Sequence, residues 1–344
     1  MTERISRLAP VLLFCALAAC SEADPFDVPG PDWDAPVDPS AAPAVPMPRL
    51  EVRGNALVTV EGGRPVRLRG LNVCGLEFDE AGAVWELGEG GSGLLATLSD
   101  PARWSANAVR VPVNQQWFLE DEPYVRTVER LIDDANDRGV YVLLDLHWEQ
   151  GRTLDPYTRN ILEVPTFGLG NTTESFWHKA VSRFANRTNL LYELVNEPHD
   201  WPADRTARAM QALADRVRRR QGDAVVVIDG MDWAHSVDYY REHPLAGANL
   251  VYAAHLYPPH DPPASFGQDF VDAARSLPVL IGEFSAEESL VDGVLYQQWV
   301  VEVAEASGAV GWLPWAVGCG IDQDGDTRRE PLAYLSRRMR ELNP

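Results

Sequence analysis

Eight short apolar runs, each separated from the next by an amphipathic stretch, constrain this chain more than any other feature. The runs are Val66 to Val73, Ala108 to Val113, Val140 to Leu146, Leu190 to Val195, Ala224 to Ile228, Leu250 to His255, Pro278 to Phe284 and Ala309 to Val317. Intervening stretches such as Val125 to Arg138 and Ala203 to Arg220 carry apolar residues at helical spacing, with Arg, Asp and Glu on their other faces. Strands alternating with helices argue for a parallel sheet. Eight such units fit a closed (β/α)8 barrel, typically about 250 residues, better than an open doubly wound sheet. After the first run, Asn72-Val73-Cys74-Gly75-Leu76 lacks the glycine-rich phosphate loop of a nucleotide site. Leu50 to Val66 alternates and turns at Gly54-Asn55 and Gly62-Gly63, as a hairpin does. The expected fold class is therefore α/β: a (β/α)8 TIM barrel with an N-terminal β-hairpin, over residues 49–344.

The residues before the barrel read differently. Arg4 and Arg7 precede the apolar run Val11 to Ala19, and Leu17-Ala18-Ala19-Cys20 closes it with small residues before a cysteine. That is the pattern of a signal peptide over residues 1–19, too short for the roughly 20 residues of a membrane span. Its end resembles the lipobox of bacterial lipoproteins, which implies lipidation of Cys20 and export to the outer membrane or cell surface. Ordinary secretion without lipid is the alternative. Residues 20–48 are rich in Pro and Asp without aliphatic periodicity, and are expected to form a disordered tether.

Net charge narrows the partners. At -21 the chain repels phosphate backbones, so a nucleic-acid role is disfavoured and a neutral small molecule or polymer is tolerated. In a barrel of this kind the working residues sit at the carboxyl ends of the strands. Polar residues gather there: Asn72, Arg110 and Asn114 in VRVPVN, His147 in DLHW, Asn196 and Glu197 in ELVNEPH, Asp229 to Trp233 in DGMDW, His255 and Tyr257 in AHLYP, Glu283 in IGEFS, and Trp315 in GWLPW. Each alone has a structural reading as packing, solvent-facing or capping; together they point to a site.

The order VRVPV, DLHW, ELVNEPH, HLY, IGEFS and a late WxxW, from about Leu50 to about Tyr334, resembles glycoside hydrolase family 5, the cellulase-type retaining enzymes. The resemblance implies Glu197 as acid/base and Glu283 as nucleophile. Retaining chemistry needs two carboxyl groups about 5 to 5.5 Å apart. Like charges at that spacing interact by about 3 kcal/mol at an effective dielectric near 20, so one carboxyl is expected to hold a proton near neutral pH. The resemblance further implies that Arg110 and Tyr257 keep Glu283 ionised, that Asn196 binds the sugar 2-hydroxyl, and that His147 and His255 orient sugar and carboxyl groups. Trp315 is expected to stack on the sugar, with Trp148, Trp201 and Trp233 lining further subsites or packing loops. Trp117, Trp177 and Trp299 read as core.

No cofactor is expected, and two histidines without a further ligand at metal spacing argue against zinc. Asp322, Asp324 and Asp326 look like a fragment of a calcium loop without its closing glutamate, so an acidic turn is the better reading. Cys74 follows the first strand and Cys319 the eighth, neighbours once a barrel closes, and a disulfide between them is expected. The expected function is cleavage of a β-linked polysaccharide, foremost as an endo-β-1,4-glucanase, by a monomeric enzyme. β-Mannanase, xyloglucanase and β-1,3-glucanase specificities stay open, as does a non-catalytic glycan-binding lipoprotein. A lyase or phosphate-dependent barrel would want a catalytic lysine, and Lys179 is the only lysine and lies in a helical stretch.

Overall fold

The structure, a computed structural model, describes residues 32–34, 39–78, 93–148, 173–286, 289–315 and 330–343. The hairpin pairs β1 (Leu50–Arg53) with β2 (Ala56–Thr59), and β3 (Pro65–Val66) adds to β2. Then come β4 (Leu68–Asn72), α1 (Gly93–Ser99), β5 (Ala108–Asn114), α2 (Gln115–Glu120), α3 (Glu122–Asp137), β6 (Tyr141–Trp148), α4 (Thr173–Phe184), β7 (Leu190–Glu193) and α5 (Ala203–Arg220). The second half continues with β8 (Val226–Asp229), α6 (Met231–Ala234), α7 (Asp238–Glu242), β9 (Leu250–Leu256), α8 (Asp272–Ala274) and β10 (Val279–Phe284). It ends with the small hairpin β11 (Leu290–Val291) and β12 (Val294–Leu295), α9 (Tyr296–Ser307), β13 (Gly311–Trp312) and α10 (Glu330–Leu342).

Eight parallel strands, one from each apolar run, close into a barrel in the order β4-β5-β6-β7-β8-β9-β10-β13. The fold class read from the sequence is the one observed. The last strand is the shortest, because Pro314 has no N–H to donate, and pairing resumes only as a single bridge between Ser285 and Trp315. The helices form where one apolar stripe faces the sheet. In α3 that stripe is Tyr124, Val125, Val128, Leu131, Ile132 and Ala135, and the helix starts on the Asp121 side chain, which accepts the Tyr124 N–H. In α5 the buried positions Ala207, Met210, Leu213, Ala214 and Val217 repeat at three and four, and Arg218 to Arg220 fill the last turn, where cations suit the helix dipole. Trp177 is fully buried, Trp117 nearly so, and Trp299 packs against the core from its edge.

The end of the barrel opposite the strand carboxyl termini is closed by the hairpin. Leu50 and Leu57 join the inward-facing Leu68, Leu143, Leu191, Val227, Val251 and Leu280 in one buried cluster, each fully buried leucine stabilising the plug by about 2 kcal/mol. With that end filled, the mouth at the strand carboxyl ends is where a ligand enters.

The expected tether is corrected in part. Residues 32–34 and 39–48 lie against the barrel. Trp33 is buried between α4 and α5, with its Nε1 donating to Glu174 at 2.8 Å and its carbonyl accepting from Arg220 at 3.1 Å. Arg219 pairs with Asp34, Ser40 Oγ donates to the Arg183 carbonyl, and Asn136 clasps the backbone of Val45 and Met47. The composition lacks aliphatic periodicity, yet one tryptophan and the acidic groups suffice to dock on an arginine-rich helix flank. Residues 1–31, including Cys20, lie outside the described residues, as do Cys319, Asp322, Asp324, Asp326 and the Trp148 side chain. Cys74, just past the end of β4, is disulfide-bonded.

Candidate active site

Arg110 anchors the barrel mouth. It is fully buried within β5 and uses every face of its guanidinium. Nη1 donates to Glu283 Oε1 at 2.6 Å and to Asn72 Oδ1 at 3.0 Å, Nε and Nη2 hold Glu193 at 2.7 and 3.1 Å, and Nη2 also reaches Asn196 Oδ1 at 2.8 Å. Asp145 makes a further buried ion pair with Nη2 at 3.0 Å. A buried charge without partners is strongly disfavoured, so this fan of acceptors is what permits an arginine here.

Glu283 is aimed by a break in the sheet. Pairing of β10 with β9 shifts register between Ile281 and Glu283, so that Glu283 stands beside His255. The residue in the break must be small, since a Cβ on Gly282 would lie 2.8 Å from His255 Nε2. Glu283 Oε2 accepts the Tyr257 hydroxyl at 2.7 Å. Burial pushes the Glu283 carboxyl up, but the charges of His255, Arg110 and His147 and the Tyr257 hydrogen bond outweigh it and hold the pKa below the usual range.

Glu197 follows β7 with φ +48. Its Oε1 meets His255 Nδ1 at 2.9 Å, and the same nitrogen is 3.7 Å from Glu283 Oε1. The imidazole thus sits between two carboxylates from opposite sides of the mouth. One carboxylate oxygen from each, with a His255 nitrogen, lie within 4.8 Å of one another. For His255 burial opposes charge, but Glu283, Asp229, Glu193 and Glu197 surround it and raise its pKa well above the ordinary value.

Of the other expected residues, Asn196 joins the network through Arg110. His147 Nδ1 contacts Asp145 Oδ2 at 2.7 Å, and its ring stacks on Trp315, centroids 5.3 Å apart and planes within 8°. His147 and Trp315 therefore form one platform. Trp201 packs against the outer core with the Arg205 guanidinium 3.6 Å over its ring, a packing role that competes with the one expected in binding. Trp233 has φ +63 and meets His199 edge-on at 3.6 Å. Asn114 serves as the N-cap of α2.

Sequence reasoning missed Glu193 and Asp145 and passed over Asp229 as one of a group, although all three are fully buried in the network. The signal was a lone carboxylate inside each of the apolar runs LLYELV and VLLDL. It missed Glu77 too, a buried carboxyl beyond β4 whose Oε2 accepts the Gly75 N–H at 2.7 Å. The expectation about metal spacing needs correction as well. Two groups, Glu193–Asp229–His255 and Glu197–His255–Glu283, bring ligand-type atoms within 4.8 Å. In both, Arg110 and His255 already supply the positive charge that the carboxylates require, so the arrangement is explained as an acid–imidazole–guanidinium network.

Comparison with known proteins bears on the family and the fold. The sequence model of the cellulase family, glycosyl hydrolase family 5, matches residues 60–319. Endoglucanase E-5 of Thermobifida fusca is 27% identical over 322 residues, covering 87% of this chain and 63% of that protein. Endoglucanase MaCel5A of Microbulbifer sp. (strain ALW1) is 30% identical over 254 residues, covering 70% of this chain and 45% of that protein. The chain thus spans less than two thirds of the length of either relative. Among solved structures, the β-glucanase SdGluc5_26A of Saccharophagus degradans superposes with a TM-score of 0.71 at 19% identity, covering 93% of this chain and all of that one. The catalytic domain of Thermobifida fusca endoglucanase Cel5A in complex with cellotetraose gives 0.64 at 21% identity, covering 85% of this chain and 97% of that one. With the family model matching well over half its length, the chain belongs to the cellulase family of glycosyl hydrolases, family 5.

Proposed function

We propose that this protein hydrolyses a β-linked glucan within the chain, with retention of anomeric configuration, as an exported endo-β-1,4-glucanase working as a monomer. The observation that carries the reading is the pair of carboxylates, Glu197 and Glu283, with oxygens within 4.8 Å of each other across His255. That spacing suits direct attack on the anomeric carbon and leaves no room for the interposed water of an inverting enzyme.

Glu283 has the surroundings of a nucleophile. Arg110 and Tyr257 hold one oxygen each and favour the carboxylate. Attack forms a glycosyl ester on Glu283 while Glu197 gives its proton to the departing glycosidic oxygen. Glu197, now a carboxylate, then takes a proton from water as that water's oxygen attacks the anomeric carbon, releasing the sugar and restoring both groups. With Asn196 Oδ1 taken by Arg110, its amide N–H groups are left to donate to the sugar 2-hydroxyl, a contact that strengthens as positive charge develops at the ring. The Trp315 and His147 platform offers an apolar surface to the sugar face.

The β-1,4-glucan preference rests on the endoglucanase names of the relatives. Export with a lipid on Cys20 rests on the sequence of residues 1–20. The test is reducing-sugar release from carboxymethylcellulose, mannan, xyloglucan and laminarin by wild type and Glu283→Ala. Preferential release from carboxymethylcellulose, abolished in the variant, is expected; cleavage of none of the four overturns the reading in favour of a glycan-binding lipoprotein.

A further inference from the structure

Asp229 ends β8, fully buried between Glu193 on β7 and His255 on β9. Its Oδ2 accepts the backbone N–H of Glu197 at 2.8 Å. Glu197 is in the left-handed region at φ +48, a conformation that a residue with a Cβ keeps only when its surroundings hold it there. The next residue, Pro198, has no N–H to donate, so this turn is tied to Asp229 through the Glu197 amide.

The rest of the Asp229 carboxyl faces other acids. Among the described residues its Oδ1 meets no hydrogen-bond donor, while a carboxylate oxygen of Glu193, one of Asp229 and a His255 nitrogen lie within 4.8 Å of one another. Glu193 is committed as an anion, since Arg110 donates to both its oxygens. Two carboxylates at this range, shut off from water, share a proton rather than both ionise. With Glu193 held by the guanidinium, the proton belongs on Asp229.

We infer that Asp229 is a positioning residue for Glu197: a neutral carboxylic acid that donates to Glu193, accepts the Glu197 N–H, and so fixes the left-handed turn that aims Glu197 at His255 and Glu283. The inference rests on the reading of Glu197 as acid/base. Burial and the adjacent Glu193, which push the Asp229 carboxyl well above the usual range, agree with it.

The test uses the full chain and two probes, 2,4-dinitrophenyl and phenyl β-cellobioside, whose leaving groups need no proton and a full proton respectively. Each kcat/KM reports the glycosylation step. Glu197→Ala should lose about 10²-fold or more on the phenyl glycoside alone. Asp229→Ala, with the turn released, should repeat that selective loss, about tenfold to 10²-fold on the phenyl glycoside and little on the dinitrophenyl one. Asp229→Asn presents the same donor and acceptor as the neutral acid and should recover most of the phenyl rate. The inference is overturned if Asn is as poor as Ala, which would require a carboxylate, or if Ala loses both probes equally, which would mark general disruption. Should the alanine variant not fold, the asparagine variant decides alone, through its selective loss or lack of it. If Glu197→Ala itself shows no leaving-group dependence, the acid/base reading fails and takes this inference with it.

Discussion

Removing the hydroxyl of Tyr257 isolates one contribution to the state of Glu283. The Tyr257→Phe substitution deletes one hydrogen bond of 2.7 Å to Oε2 and leaves the loop in place, because the Tyr257 backbone N–H stays on Asp261 Oδ2 at 2.8 Å. Hydrogen bonds to charged partners contribute about 1.5 to 3 kcal/mol. Much of this bond acts on the carboxylate and not on its protonated form, so its loss should raise the Glu283 pKa by about one to two units. The sign follows from the depressed starting value. Glu283 is ionised above its folded pKa, so raising that pKa takes nucleophile away at acid pH first. The acidic limb of kcat/KM should move toward neutrality by about one to two pH units, with a loss that approaches about 10- to 150-fold only at the acid end of the profile and is smaller at pH 8. The assay is the full pH profile of kcat/KM for both proteins on a soluble β-glucan. An acidic limb that stays where it is in the wild type would refute the idea that Tyr257 keeps Glu283 ionised.

Glu77 gives a stability signature. Its carboxyl is pushed up from 4.5 to about 7, chiefly by burial and against the charge of His147. Since the folded value is the higher one, the associated stability is complete below pH 4.5 and lost as pH rises through 7, about 3 kcal/mol in all. Urea unfolding of Glu77→Gln and wild type should therefore differ by about 3 kcal/mol more in the variant's favour at pH 8 than at pH 4; an equal difference at both would contradict the shift. Trp33→Ala, which empties the groove between α4 and α5, should cost about 3 kcal/mol and lower Tm without altering kcat, whereas an unchanged Tm would mean that residues 32–34 do not dock in solution. Trp315→Ala, losing half of the stacked platform, should raise KM by about tenfold, and an unchanged kcat/KM would remove it from sugar binding.

The barrel was legible because its physics is local and repeated. Each apolar run is long enough for one strand, each intervening stretch has one apolar stripe, and eight such units have few ways to close. The carboxylate pair was legible through NEP and GEF at strand ends. What escaped was the layer beneath. Glu193 and Asp145 sit inside apolar runs, and nothing in their neighbours along the chain reveals that one arginine on β5 collects both. Their role depends on pairing across strands β5, β6 and β7, which a linear pattern does not encode. Trp33 was hidden for a related reason: residues 20–48 have the composition of a tether, and a single aromatic finding a groove between two distant helices leaves no periodic trace. The left-handed backbone of Glu197 was equally invisible, since glutamate carries no preference for it.

The proposed reaction depends on a covalent bond between Glu283 and the sugar. Incubating the enzyme with a 2-deoxy-2-fluoro-β-cellobiosyl fluoride, whose fluorine slows hydrolysis of the ester more than its formation, and mapping the adduct by peptide mass spectrometry measures this directly. One fluorocellobiosyl group on the peptide containing Glu283, with activity lost in step with labelling, is the predicted result. An active enzyme that takes up no label, or takes it up on another side chain, would contradict it.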